Sequence, residues 1–264
     1  MMRKPHYAGQ FYPKNAEEIK AFISRLPKKK FDSKFVHGAI VPHAGYMYSG
    51  KAANYVYQAI KQGGEPDTFI LLGPNHTGWG VSSAADQDWE TPLGIAKADK
   101  QMIKQLNIKI DNNAQLYEHS LEVQLPFLQY YFKDSKIVPI IVSNELAVKD
   151  IVEKLKKIKS KICIIASSDF THHGPAYGYA PFAENVKENL YKQDKQAIKY
   201  IVSKDVNGFE DFLRQTGATI CGQLPIRILL QIVKGNGKLL DYYTSGDISG
   251  DYLNAVGYAA IIFV

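Results

Sequence analysis

The sequence has few of the features that mark a secreted or membrane-embedded protein. Only two cysteines, Cys163 and Cys221, occur in its 264 residues, too few for the disulfide framework of a small secreted domain. Cys163 lies within an apolar run, so we expect no disulfide between them. No apolar run approaches the roughly 20 residues of a membrane-spanning helix, and the basic start has no signal-peptide core after it. We therefore expect a cytoplasmic protein without a membrane partner.

Motifs for nucleotide-dependent chemistry and serine hydrolysis are also missing. The chain has no Walker A sequence, no glycine-rich dinucleotide turn, no GxSxG elbow and no CxxC pair. The net charge is +6, but only four of the basic residues are arginine, the residue that recognises phosphates and bases bidentately. The lysines group at 27–31, typical of a linker, and at 154–161, typical of a solvated helix face. We expect no nucleic-acid partner.

Strand-like apolar runs alternate with helical patterns along the chain. This alternation predicts one α/β domain over residues 1–264, with a mainly parallel or mixed central sheet flanked by helices. Strands are predicted at 37–42, 68–73, 136–143, 161–168 and 255–264. Helices are predicted at 49–61 with Ser49 as the N-cap, at 148–159 and at 184–202. Loops are predicted at 77–92 and 172–182.

Polar residues follow three of the predicted strands. His43 follows the first strand, His76 follows the second, and Asp169 and His172 follow the fourth. In open α/β sheets, ligands bind beyond the carboxyl ends of the strands. One histidine is more often structural than a ligand, but three strand-end segments of this kind favour convergence on one crevice.

Cys221 precedes an apolar helical pattern that starts near Gly222. A thiol at a helix N-terminus has its pKa lowered by the exposed amides and the helix dipole, which favours a nucleophile or a metal ligand. The alternative is a small buried apolar residue. This segment alone does not decide between the two.

Two imidazoles and a thiolate would form a three-ligand metal site with a position open for water or substrate. His43, His76 and Cys221 are the predicted ligands, and by ligand chemistry Zn(II) comes first, with Fe(II) and copper behind. Asp169 in place of Cys221 would give the two-histidine, one-carboxylate set of non-haem Fe(II) oxygenases. The residue types leave both options open.

Two side chains are the predicted proton carriers, and a third orients one of them. His172 is the first candidate, with Asp169 to orient it, and His119 is the second. The helical spacing of 117–132 places Glu118 and Glu122 beside His119, where an exposed helix face explains the two glutamates equally well.

The remaining histidines and the tyrosines carry less information. We interpret His173 as a surface residue and place His6 near the site. The seventeen tyrosines could line a pocket for a ring-bearing ligand, although packing explains most of them.

Seven segments in order resemble the Memo family. They are HYAGQFYP, VPHAGYMYSGKAA, LLGPNHTG, WETPLG, EHSLEVQLPFLQ, SSDFTHHG and the Cys221-Gly222 pair. The resemblance implies a fold similar to the LigB-type class III extradiol dioxygenases, which hold non-haem Fe(II). It also implies a pocket of His43, His76, Asp169, His172 and Cys221. The dioxygenases have a glutamate as their third ligand, whereas the matching position here looks like Cys221, which argues against ring cleavage.

Three functions follow as hypotheses. The first is a metal-binding protein that supports an oxidative reaction and would act as a metal-dependent oxidoreductase. The resemblance favours Fe(II) as its metal, with copper or zinc as the other options. The second is a metal-independent hydrolase with Cys221 as nucleophile, His172 as base and Asp169 orienting it. The third is a non-enzymatic module that binds phosphotyrosine-like or anionic peptides. The expected partner is a small molecule or peptide in the pocket, and an oligomer is compatible with the sequence.

Overall fold

The computed structural model describes residues 2–32 and 34–264, which fold around one mixed sheet. The strands are β1 (Gly38–Val41), β2 (Thr68–Pro74), β3 (Ser83–Ala84), β4 (Trp89–Thr91), β5 (Gly94–Ala96), β6 (Lys136–Val142), β7 (Ile162–Ser167), β8 (His172–His173), β9 (Gly237–Thr244) and β10 (Ala255–Phe263). The helices are α1 (Ala16–Arg25), α2 (Tyr46–Gly63), α3 (Lys100–Leu106), α4 (His119–Glu122), α5 (Leu125–Tyr131), α6 (Glu145–Leu155), α7 (Val186–Val202), α8 (Val206–Thr216), α9 (Gln223–Leu230) and α10 (Gly246–Ser249).

Four parallel strands form the centre of the sheet. Its order is β3-β6-β2-β7-β1-β10-β8, with β9 also paired to β10. The pairs β6–β2, β2–β7 and β7–β1 are parallel, whereas β10 runs antiparallel to β1, β8 and β9. Strands β1 and β2 are buried along their whole length because helices cover both faces of the sheet. The α/β fold with a mixed, largely parallel sheet is confirmed.

The core divides into two apolar clusters on opposite faces of the sheet. Helices α1, α2 and α5 contribute to one cluster, and α3, α6, α7, α8 and α9 contribute to the other. Within the described residues, no helix combines the length and apolar character needed to cross a bilayer. Both cysteines are free thiols, as expected. The cytoplasmic location stays a prediction.

Several predicted boundaries differ from the structure. Helix α2 begins at Tyr46, one turn before the predicted cap, and Ser49 instead donates its hydroxyl to the carbonyl of Ala44. The predicted loops contain the short strands β3, β4 and β8. Short strands of two or three residues are too brief to leave a periodic pattern in the sequence.

Candidate metal centre

Three parallel strands deliver the predicted residues to one edge of the sheet. His43 follows β1 by two residues, His76 follows β2 by two, and Asp169 follows β7 by two. Because β2, β7 and β1 are adjacent and parallel, their carboxyl ends lie side by side. The structure thus brings together side chains that are far apart in the sequence, as the strand-end pattern predicted.

Cys221 reaches this edge from the turn before α9. Its sulfur lies 3.2 Å from His43 Nε2, and one ring nitrogen of His43, one of His76 and the sulfur all lie within 4.8 Å of one another. The amide of Asp169 donates to the sulfur over 3.2 Å. Gly222 allows this approach, since a Cβ there would lie 2.3 Å from the Ser168 Cβ.

The hydrogen bonds around Ser167 fix the tautomer of His43. The Ser167 hydroxyl donates its one hydrogen to the Ser120 carbonyl and accepts from Gln124 Nε2. It must therefore accept from His43 Nδ1, which lies 2.9 Å from it. The Pro42 carbonyl orients the Gln124 amide by accepting from the same Nε2. His43 consequently carries its proton on Nδ1, and the lone pair of Nε2 faces Cys221.

Glu118 fixes His76 in the same way. The Glu118 carboxylate accepts from the His76 backbone amide over 2.7 Å and from His76 Nδ1 over 2.9 Å. It also accepts from the Ser120 amide. Burial acts to raise the pKa of Glu118, but the hydrogen bond and charge of His76 outweigh it and lower the pKa to about 2. Nδ1 of His76 is thus the donor, and in the neutral ring the lone pair is on Nε2.

Glu118 and Glu122 do not lie on an exposed helix face, which corrects that alternative. Both are fully buried, because α4 ends at Glu122 and α5 begins at Leu125, so the predicted helix is broken in two. Glu122 pairs with Arg3, which is also buried, at 2.5 Å. It further accepts from the Tyr12 hydroxyl and the Tyr7 amide. Glu122 therefore attaches the N-terminal segment to the site.

His119 lies beside both candidate ligands. Its ring stacks on His76 with centroids 4.5 Å apart and meets the His43 ring edge-on at 5.3 Å. Tyr7 and Phe11 of the N-terminal segment pack on its other sides. Burial and the neighbouring His43 and His76 lower the pKa of His119 to about 3. The side chain is neutral at pH 7 and can accept or donate a hydrogen bond there.

The electrostatics of Cys221 differ from the prediction. Burial and the nearby Asp169 carboxylate raise the pKa of the thiol, although backbone donors act in the opposite direction. The predicted lowering by a helix N-terminus was wrong, because burial and the charge of Asp169 outweigh the backbone amides of Asp169 and Gly222, which act to lower the pKa. Without a metal, the thiol is protonated and donates to His43 Nε2.

Asp169 and His172 are each held by other partners than the predicted ones. Asp169 Oδ1 accepts from the His43 amide over 2.8 Å, and burial raises the pKa of its carboxyl group. His172 Nδ1 lies 3.0 Å from the Phe170 carbonyl and 3.2 Å from that of Thr219. These carbonyls, not Asp169, orient the His172 ring, which corrects the predicted pairing. Since carbonyls only accept, His172 Nε2 is the free nitrogen.

A cavity of about 410 Å³ adjoins these residues, and we call it the site cavity. His119, Asp169 and His172 line it, together with Tyr48, Tyr177, Tyr258 and other residues. The predicted contribution of tyrosines to a pocket therefore holds for these three. A cavity of this size is suited to a small molecule.

The remaining histidines and two residues without a predicted role complete the description of the site. His173 is 2% exposed and stacks on Phe182, so the surface interpretation was wrong. His6 packs on Tyr117, and its amide donates to Glu122. The roles of Ser167 and Gln124 were missed. A serine at the end of a fully apolar strand was the only signal for the first, and nothing in the sequence pointed to the second.

Comparison with known proteins agrees with the resemblance. Residues 3–262 match the family model of Memo-like proteins. A MEMO1 family protein of Methanosarcina barkeri is 38% identical over 278 residues, covering 99% of each chain. Another, from Saccharolobus solfataricus, is 38% identical over 293 residues, covering 100% of this chain and 99% of that one. One from Pyrococcus furiosus is 38% identical over 289 residues, covering 99% of each.

Proposed function

The chain belongs to the family of Memo-like proteins, and from that premise and the geometry of the site we propose that it binds a transition metal. The ligands would be His43 Nε2, His76 Nε2 and Cys221 Sγ. One observation carries this proposal: Ser167 and Glu118 hold the Nδ1 atoms of the two histidines, and a ring nitrogen of each histidine lies within 4.8 Å of the Cys221 sulfur. Metal-binding histidines are usually held in this way by their second nitrogen.

The donor set limits the choice of metal. Two imidazoles and a thiolate suit Fe(II), copper and Zn(II), whereas the hard ions Mg(II) and Ca(II) prefer oxygen ligands. The family resemblance puts Fe(II) first, and the thiolate shifts the preference towards copper or zinc. Asp169 is the weaker third ligand, because its Oδ1 already accepts from the His43 amide.

We further propose that the site supports an oxidative reaction on a small molecule in the site cavity. A bound redox-active metal would supply Lewis acidity and electron transfer. His172 Nε2 would accept or donate a proton at the substrate, since its Nδ1 is held by carbonyls. His119, neutral and in the cavity wall, would serve as a second hydrogen-bonding group, and Asp169 would hold the His43 backbone in place.

The two alternatives receive less support. A hydrolase with His172 as the base requires His172 beside the thiol, but the imidazole within hydrogen-bond reach of Cys221 is that of His43. An anionic peptide would meet the carboxylates of Asp169 and Asp251, which both line the site cavity. The leading proposal is therefore the metal centre.

Metal analysis tests the proposal. Protein purified without a histidine tag would be reconstituted anaerobically with Fe(II), Cu(I) or Zn(II), dialysed, and its metal measured by mass spectrometry. We expect about one equivalent of at least one metal in the wild type and a large loss in His43→Ala, His76→Ala and Cys221→Ser.

His37→Ala is the matched control, because His37 is exposed and precedes the opposite end of β1. It should retain the wild-type stoichiometry. Absence of stoichiometric metal from the wild type would exclude the proposal. Equal metal content in the ligand variants would exclude this site.

A further inference from the structure

A second and larger cavity meets the site cavity. It has a volume of about 810 Å³ and lies between the N-terminal segment and the first turn of α2. We call it the apolar groove. Phe11, Gly45 and Tyr48 line both cavities. The two spaces are therefore adjacent, and these three residues border both of them.

The two spaces differ in chemical character. Tyr12, Phe22, Tyr46 and Met47 line the apolar groove, and Met47 is 72% exposed although it is apolar. The charged residues on the groove, Lys14 and Glu18, carry opposite signs. An exposed apolar cleft without net charge favours an uncharged hydrocarbon group.

The site cavity favours a polar but uncharged group. Asp169 and Asp251 are its carboxylates, and His119 and His172 are its imidazoles. No lysine or arginine is found on its lining in the part of the chain that the structure describes. These groups can exchange hydrogen bonds with a hydroxyl, whereas the carboxylates disfavour an anion. The rings of the lining tyrosines offer contact faces to an aromatic ring.

We infer that the substrate of this site is a neutral hydroxylated ring with an apolar chain. The ring occupies the site cavity, and the chain passes Gly45 into the apolar groove. This inference names the substrate class of the metal centre proposed above and rests on that proposed function.

Gly45 provides a direct way to separate the two spaces. Its φ is −53°, a value open to every L-residue. A Cβ there would approach only the Phe11 carbonyl oxygen at 3.8 Å and Tyr48 Cδ2 at 4.0 Å, both ordinary contacts. Gly45→Leu should therefore fold and fill the junction between the cavities.

The experiment measures dissociation constants of 4-ethylphenol, 4-butylphenol and 4-hexylphenol by calorimetry. Burial of each added methylene should strengthen binding by up to about fourfold, so the four methylenes from ethyl to hexyl allow a gain of up to about 250-fold. We expect at least about thirtyfold, which corresponds to partial burial of the chain. Gly45→Leu and Met47→Glu should remove most of this gain. Leu146→Glu, at a residue 89% exposed on α6, should retain it. The anion 4-butylbenzoate should bind at least tenfold more weakly than 4-butylphenol.

Each outcome decides the inference. Affinity that does not rise with chain length would overturn it, as would a gain that survives in both groove variants or tighter binding of the benzoate. The series is titrated against metal-free and metal-loaded protein, and the gain from the chain should appear in both. A failure to bind metal would therefore be distinguishable from a failure of the apolar groove.

Discussion

The Nε2 atom of His43 lies 3.2 Å from the sulfur of Cys221, although 178 positions separate them in the chain. His43 follows the central strand β1. Cys221 precedes helix α9, which packs on β7, the strand next to β1. The contact therefore exists only in the folded protein. The predictions below concern the residues that hold these two groups and His76 in place.

Ser167→Ala should weaken metal binding. The substitution removes the acceptor of His43 Nδ1 and leaves buried donors of His43 and Gln124 unpaired. We expect a loss of about 10- to 100-fold in metal affinity and about 1–3 kcal/mol in the free energy of unfolding. Competition with a chromophoric chelator and urea unfolding measure the two effects.

Ser160→Ala, at an exposed serine between α6 and β7, is the control for Ser167→Ala and should change neither quantity. If Ser167→Ala binds metal as tightly as the wild type, the hydroxyl does not position His43.

Glu118→Gln should make stability less dependent on pH in acid. The pKa of Glu118 is about 2 in the folded protein and 4.5 as the unperturbed reference. Its contribution is thus complete above pH 4.5 and is lost as the pH falls through about 2. We expect the metal-free variant to be less stable than the wild type at pH 6 by about 1–3 kcal/mol.

The difference in the free energy of unfolding between the wild type and Glu118→Gln should become smaller below pH 4.5. Urea unfolding at several pH values measures it. Glu153→Gln, an exposed change on α6, should follow the wild-type curve. A stability difference that stays constant from pH 6 to pH 3 would show that Glu118 does not act through its charge.

Metal binding should release about one proton near pH 7. The pKa of the Cys221 thiol is raised by burial and by Asp169, so the metal must displace a proton from sulfur. Metal affinity should therefore rise about tenfold per pH unit between pH 6 and pH 8. Calorimetry in buffers of different ionisation enthalpy counts the proton.

Cys221→Ser is the comparison for proton release, because a serine hydroxyl keeps its proton at these pH values. Any metal that it still binds should be taken up without this proton. Metal uptake by the wild type that is independent of pH and releases no proton would contradict a thiolate ligand.

Arg3→Met should destabilise the fold and the wall of the site together. Removal of the guanidinium leaves the buried Glu122 carboxylate without its cation, which costs about 3–5 kcal/mol. The segment that carries Tyr7 and Phe11 should also loosen from His119, weakening phenol binding. Thermal unfolding and phenol titration measure both effects.

Two variants control for Arg3→Met. Lys4→Met removes an exposed ion pair with Glu90 and should cost no more than about 1 kcal/mol. The double variant Arg3→Met, Glu122→Gln should recover part of the loss, because no charge stays buried. If the double variant is no more stable than Arg3→Met, the unpaired charge is not the cause.

The positions of the main strands and of three candidate ligands could be predicted from the sequence. Strands such as β2 are buried on both faces and appear as continuous apolar runs, and His43, His76 and Asp169 follow such runs directly. Residues that follow neighbouring parallel strands come together at one edge of the sheet, however far apart they are in the sequence. Cys221 was predicted as a ligand from its thiol chemistry, and the family resemblance placed it in the same pocket, although its distance in sequence gave no geometric reason for it.

The supporting contacts could not be predicted from the sequence. Glu118 and Glu122 have the spacing of a solvated helix face, and only the break between α4 and α5 turns both inwards. The raised pKa of Cys221 depends on how closely the strand ends surround the sulfur. His173 resembles an exposed loop residue until β8 pairs with β10. Each of these features depends on tertiary packing, which leaves no local pattern.

X-ray absorption spectroscopy of the metal-loaded protein tests the central claim most directly. A centre bound by His43, His76 and Cys221 should show one sulfur scatterer at about 2.3 Å and two imidazole nitrogens at about 2.0 Å. In the metal that Cys221→Ser retains, the sulfur contribution should be absent while the imidazole contribution persists. A wild-type spectrum with only oxygen and nitrogen neighbours, or a sulfur contribution that survives in Cys221→Ser, would contradict the proposed centre.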